Sequence, residues 1–138
     1  MDHIHITDLE AAINHWRMRS PHTADGALAA PLKALAEVYA CMIVARTTTV
    51  AAHALPEAAR QAWLHWYATL PDTPCIAICS TSQGDSLCKG CGRTFAEIQE
   101  WLSLSPYAKR AVWRRITEEG VALRFTRYAE RAAEKPSQ

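Results

Sequence analysis

Four of the five cysteines in this 138-residue chain lie within twenty residues, Pro74 to Arg93, reading Pro-Cys-Ile-Ala-Ile-Cys-Ser-Thr-Ser-Gln-Gly-Asp-Ser-Leu-Cys-Lys-Gly-Cys-Gly-Arg. Three residues separate Cys75 from Cys79 and two separate Cys88 from Cys91, with a polar stretch containing Gly84 and Asp85 between the pairs. Tetrahedral zinc takes four ligands with sulfur at about 2.3 Å, and pairs spaced by two to four residues can wrap one ion because the backbone between them turns around it. The expected metal ligands are therefore Cys75, Cys79, Cys88 and Cys91. Gly90 and Gly92 are placed to adopt positive φ and to turn backbone amides toward the sulfurs. Four thiolates on a divalent ion leave excess negative charge, which Lys89 and Arg93 are expected to offset. The same ligand set suits an iron–sulfur cluster, and spacing alone separates the two poorly. The expected cofactor is zinc, with an iron–sulfur cluster as the alternative. A site whose four positions all belong to protein has no place for a substrate, so a structural role comes first and electron transfer second.

Cysteine usage fits a reducing compartment, because an odd total of five suits a disulfide framework poorly. No run of about 18 apolar residues and no basic-then-apolar leader marks a membrane span or a secretory signal, so a cytoplasmic protein with no membrane partner is expected. The length fits one compact domain or two very small ones, and the 49% apolar content, much of it Ala, favours helices.

The flanking sequence predicts a mainly α fold: an N-terminal three-helix module over 1–70, then a module over 71–138 holding the four-cysteine loop and two to three further helices. Thr7 and Glu10 have capping-box spacing, followed by Leu9, Ile13 and Trp16 on one face. His3 and His5 would alternate if extended and are expected to be exposed. A second helix from Pro31 is expected to bury Leu32, Leu35, Tyr39, Met42 and Ile43. Cys41 falls with Glu37 on its more polar side and reads as a packing residue, outside the metal set. Thr47-Thr48-Thr49 interrupts the pattern, with a further turn possible over 50–54. Pro56 starts a third helix, in which Trp63, Trp66 and Tyr67 read as core bulk rather than a base-stacking platform. Pro71-Asp72-Thr73-Pro74 forbids a continuing helix and marks the boundary. Beyond the cysteines, Thr94 and Glu97 repeat the capping-box spacing before Phe95, Ile98, Trp101 and Leu102. Ser105-Pro106 opens a helix with Ala108, Val112 and Ile116 on one face, Gly120 ends it, and a last helix is predicted through Val121, Phe125, Tyr128 and Ala132.

The net charge of +1 conceals an asymmetry: residues 105–138 carry eight Lys/Arg against four Asp/Glu. Lys109, Arg110, Arg114, Arg115, Arg124, Arg127 and Arg131 are thus candidate contacts for nucleic acid or an acidic partner, although a solvated helix face is the plainer reading. Enzyme chemistry has little footing, with no glycine-rich phosphate loop, no catalytically spaced carboxylates and no histidine after His65.

The four cysteines, the Gly-Cys-Gly-Arg-Thr turn at 90–94, Glu97-Ile98 and Trp101 together resemble a small bacterial family, domain of unknown function 1289, often labelled predicted iron–sulfur proteins; the likeness spans residues 74 to about 116. Leu9 to Arg17 and Leu35 to Ile43 resemble a second uncharacterised family, number 3717, over residues 6 to about 60. These resemblances imply two modules and a metal site but no reaction. The expected function is a non-catalytic, metal-binding accessory protein that binds another protein. An iron–sulfur redox or sensor protein, or a nucleic-acid binder using the basic C-terminal helices, is the alternative.

Overall fold

The structure, a computed structural model, describes residues 2–19 and 29–126. The chain divides into two compact units: Met1–Asp72 with Ser105–Ala108, and Thr73–Leu104 with Lys109–Gln138. The fold is mainly α. No helix among the described residues is long and apolar enough to cross a membrane.

In the first unit, strand β1 (His3–His5) runs directly into helix α1 (Ile6–Arg19), which is followed by α2 (Ala30–Ala45), β2 (Thr49–Ala51), a 3-10 turn at Ala52–Ala54 and α3 (Glu57–Tyr67). The three helices pack against one another. β1 and β2 pair antiparallel with Ile4 opposite Val50, a ladder continued by the Ile6 amide to the Thr48 carbonyl (2.8 Å). This pairing corrects two expectations. The turn expected over 50–54 forms only at Ala52–Ala54, while Val50 and Ala51 extend, because β-branched Thr49 and Val50 find a partner strand remote in sequence. The Thr7–Glu10 capping box does not form either, since α1 starts at Ile6, two residues before the Asp8 start that a Thr7 cap implies. The Thr7 amide donates to His5 Nδ1 at 3.2 Å, and Glu10 instead accepts from the Tyr39 hydroxyl.

The unit's core gathers Leu9 and Ala12 from α1, Leu35, Val38 and Met42 from α2, and Ala59, Trp63 and Trp66 from α3, with Ile4 closing it from β1. Trp63 is wholly buried and stacks on Tyr67, so the aromatic cluster is core, as its helical spacing predicts. Val38 takes the place predicted for Tyr39, which is half-buried, while Ile43 is exposed. α2 ends at Arg46, whose left-handed φ of 55° lets the amides of Arg46 and Thr47 reach the carbonyls of Ile43 and Met42.

The second unit holds α4 (Phe95–Glu100), a 3-10 turn at Trp101–Ser103, most of α5 (Pro106–Glu119) and 3-10 turns at Ser80–Gln83 and Leu123–Phe125. α4 begins with the capping box predicted for it: the Glu97 amide donates to Thr94 Oγ1 (3.1 Å) and the Thr94 amide to Glu97 Oε1 (2.8 Å). Trp101, Trp113 and Ile116 form the apolar centre. Phe95 and Leu102, predicted for a buried face, are exposed, because α4 is under two turns long and its axis is set by the cap and by Trp101. Gly120 closes α5 with φ +63°. The residues after it turn at Leu123–Phe125 rather than continuing as an α-helix; the remainder of the predicted last helix, including Tyr128 and Ala132, lies outside the described residues.

Candidate metal centre

The second cysteine pair sits in a tight backbone knuckle. The Cys88 amide donates to the Arg93 carbonyl (2.9 Å) and the Gly92 amide returns to the Cys88 carbonyl (2.7 Å), with Leu87 bridged to Thr94 just outside. Gly92 holds φ +87°, and a Cβ there would press on Ile116 at 3.2 Å. Glycine is needed on both counts. Cys88 and Cys91 are both buried. The Cys88 thiol is pushed up by burial, yet backbone amides of Cys91, Ser80 and Gly90 and the Cys91 side chain outweigh this and bring it down from 9.0 to about 7.

Residues on both sides of Cys79 contact the knuckle. The Ile78 carbonyl lies 3.1 Å from Cys88 Sγ and accepts its S–H hydrogen bond, and Ser80 Oγ accepts from the Lys89 amide at 2.8 Å. Gly90 does not take the positive φ expected of it; it serves by its size, since a Cβ there would fall 2.5 Å from the Ile78 carbonyl oxygen. Cys79 Sγ is 3.4 Å from the hydroxyl of buried Thr81. Ahead of it Pro74 is fully buried, and the Ala77 amide donates to Cys75 Sγ at 3.3 Å. Ala77 adopts φ +65°, uncommon for a residue with a Cβ.

Cys75 and Cys79 are exposed, and among the described residues no three His, Cys, Asp or Glu side chains converge closely enough to hold one ion. Cys88 Sγ lies against the Ile78 carbonyl and Cys79 Sγ against the Thr81 hydroxyl. The donor set nonetheless suits a thiophilic metal. Two loops carrying four thiols are pressed together, and in each the amide two residues after the first cysteine addresses that cysteine's sulfur.

The predicted charge-offsetting pair divides sharply. Lys89 points outward, three-quarters exposed, and pairs with Asp85 at 3.6 Å. Arg93 is 5% exposed and donates from Nε to Cys91 Sγ at 3.3 Å, with its guanidinium 4.7 Å from the Trp101 ring centre.

Several basic residues predicted as partner contacts are engaged inside this unit. Lys109 is buried with its ammonium over Trp101, and Arg124 lies over Trp113. Arg115 grips both Glu97 oxygens (2.6 and 2.8 Å) and the Gly92 carbonyl (3.1 Å). Burial pushes the Glu97 carboxyl up, but the Arg115 and Thr94 hydrogen bonds prevail and hold it below 4.5. Arg110 and Arg114 are half-buried and make further contacts of their own. Arg127 and Arg131 lie outside the described residues. Sequence reasoning did not foresee that Arg115 ties the Glu97 cap to the knuckle, because an 18-residue separation leaves no periodic trace. The 122–125 turn was missed likewise: the amides of Leu123 and Arg124 donate to the carbonyls of Lys89 and Gly90 (2.9 and 3.0 Å).

Two family models match the chain, each described as a protein of unknown function: DUF3717 over residues 2–68 and DUF1289 over residues 73–119. No curated protein and no solved structure matches significantly. The chain carries a DUF3717 part followed by a DUF1289 part.

Proposed function

We propose that the chain is a non-catalytic accessory protein whose C-terminal part is stapled by a metal centre on Cys75, Cys79, Cys88 and Cys91, and that it acts by presenting a surface to another protein. The observation that carries this reading is the contact between the two cysteine loops on either side of Cys79, with amides directed at the Cys75 and Cys88 sulfurs. Zinc is the resident ion in this reading, with an iron–sulfur cluster as the alternative. Either would supply a cross-link among four thiolates, closed to substrate. The chain's own part is to hold two sulfurs buried in the knuckle, to favour deprotonation of Cys88, and to bring the exposed pair in from the neighbouring loop.

A protein partner is favoured over nucleic acid because Lys109, Arg115 and Arg124 are occupied with Trp101, Glu97 and Trp113. Such contacts divert cations that phosphate binding would use.

Anaerobic purification with elemental analysis tests the centre. One zinc per chain in a colourless protein is the expected result, and a brown protein with iron and sulfide in place of zinc would select the cluster. A chain free of zinc and iron that keeps its helical circular dichroism and melting temperature would rule the centre out. A duplex DNA and RNA retention assay at low salt is expected to show no binding.

A further inference from the structure

The position of Arg93 deepens the metal-centre reading, on which the inference rests. We propose that Arg93 is the buried countercharge of the thiolate centre and makes packing around α4 and α5 conditional on that centre being anionic.

Arg93 is among the least exposed charged residues described, at 5%. Three described carboxylates of the same unit are directed elsewhere: Glu97 and Glu119 pair with Arg115, and Asp85 pairs with Lys89. Among the described residues, no carboxylate pairs with Arg93. Its side chain contacts are the Cys91 sulfur and the Trp101 ring. A cation over an aromatic face recovers only a fraction of what desolvating a guanidinium costs, and this ring already faces the buried Lys109 ammonium. Beside neutral thiols the Arg93 charge is therefore poorly compensated. Beside four thiolates sharing a divalent ion it meets the excess negative charge that centre carries.

The same side chain reaches the helical core. Trp101, on which the guanidinium lies, packs with Trp113 and Ile116. The backbone of Arg93 is fixed by its carbonyl, which accepts from the Cys88 amide, and by the preceding Gly92 carbonyl, which accepts from Arg115. Arg93 cannot leave the sulfur without disturbing either the knuckle or the tryptophan. Exposed Lys89, paired with Asp85, has no such reach.

The test uses the full chain in metal-free and zinc-loaded forms, with zinc affinity from chelator competition and melting temperature in both forms. For Arg93→Met, which keeps length and removes charge, zinc affinity is expected to fall about 10–100-fold, the range for residues supporting metal ligands. The zinc-dependent rise in melting temperature should shrink while the metal-free form melts no lower than wild type. Arg93→Lys, keeping the charge, should bind within about threefold of wild type and decides the matter if Arg93→Met does not fold. Equal lowering of both melting temperatures with unchanged affinity would make Arg93 a packing residue and overturn the proposal, as would Arg93→Lys losing affinity as severely as Arg93→Met. A wild-type chain that takes up no metal would instead overturn the metal-centre reading beneath it.

Discussion

Around Trp63 in the first unit, twelve buried residues described there form one apolar cluster, whereas the corresponding cluster of the second unit comprises Trp101, Trp113 and Ile116. The second unit fills the remainder with charge: Arg93 and Lys109 over Trp101, Arg124 over Trp113, and Arg115 on Glu97. Apolar burial scales with area, and a small unit has little of it. Buried cations add little net stability by themselves, because desolvation consumes most of the Coulombic gain. Among the described residues the second unit thus has less apolar packing to rest on than the first, and the proposed cross-link would matter more there.

On the proposed reading, chelation is the most severe way to break this comparison. Structural zinc contributes on the order of 10 kcal/mol of binding free energy to a small domain. Chelation, or serine at all four cysteines, should abolish protease resistance and amide protection over 73–126 while leaving those of α1 to α3 intact. Loss of both sets together would show that the units do not differ as described. Next in size is Trp63→Ala, expected to destabilise the first unit by about 3–5 kcal/mol in denaturant titrations without changing metal content.

Gly90→Ala should cost about 2–3 kcal/mol, because its Cβ would meet the Ile78 carbonyl at 2.5 Å and force the cysteine loops apart. Metal affinity should drop with it, and an unchanged affinity would mean that the loops are not held by this approach. Glu97→Gln removes the acceptor that joins the α4 cap to Arg115. Part-exposure of the pair, 37% for the Arg115 side chain and 19% for Glu97, limits the loss to about 1–2 kcal/mol. The folded carboxyl lies below its ordinary 4.5, so its contribution is full above that pH and disappears as pH falls through the lowered value. The gap between wild type and Glu97→Gln in urea titrations should accordingly close below about pH 4.5. Smallest is Ala77→Gly, which relieves the left-handed φ of +65°; a gain of about 0.5–1 kcal/mol, read as slightly tighter zinc binding, is expected.

Local signals carried much of the fold. Pro31 and Pro56 mark helix starts, Thr94 and Glu97 form their capping box, and Trp63 and Trp66 recur at core spacing; each depends on residues within a turn or two and could be read directly. The β1–β2 pairing could not, because three-residue strands about 45 positions apart have too little periodicity to announce a partner. It also displaced the predicted cap of α1. The candidate site divides similarly. Spacing singled out four candidate cysteines and marked Gly92 as a turn of positive φ, but showed neither that Gly90 serves by its size nor which of Lys89 and Arg93 faces the sulfurs.

The sequence by itself determined the helical class, because helix periodicity is a local property; proline geometry and ligand spacing, local in the same way, singled out the break at Pro71 to Pro74 and the candidate thiol set. Only the tertiary structure decided that Gly90 lets the Ile78 carbonyl reach Cys88, and that Lys109, Arg115 and Arg124 turn to Trp101, Glu97 and Trp113. It alone set Arg93 between Cys91 and Trp101. Burial and desolvation depend on what chain folding brings alongside a charge, and one residue's neighbours in sequence do not specify that.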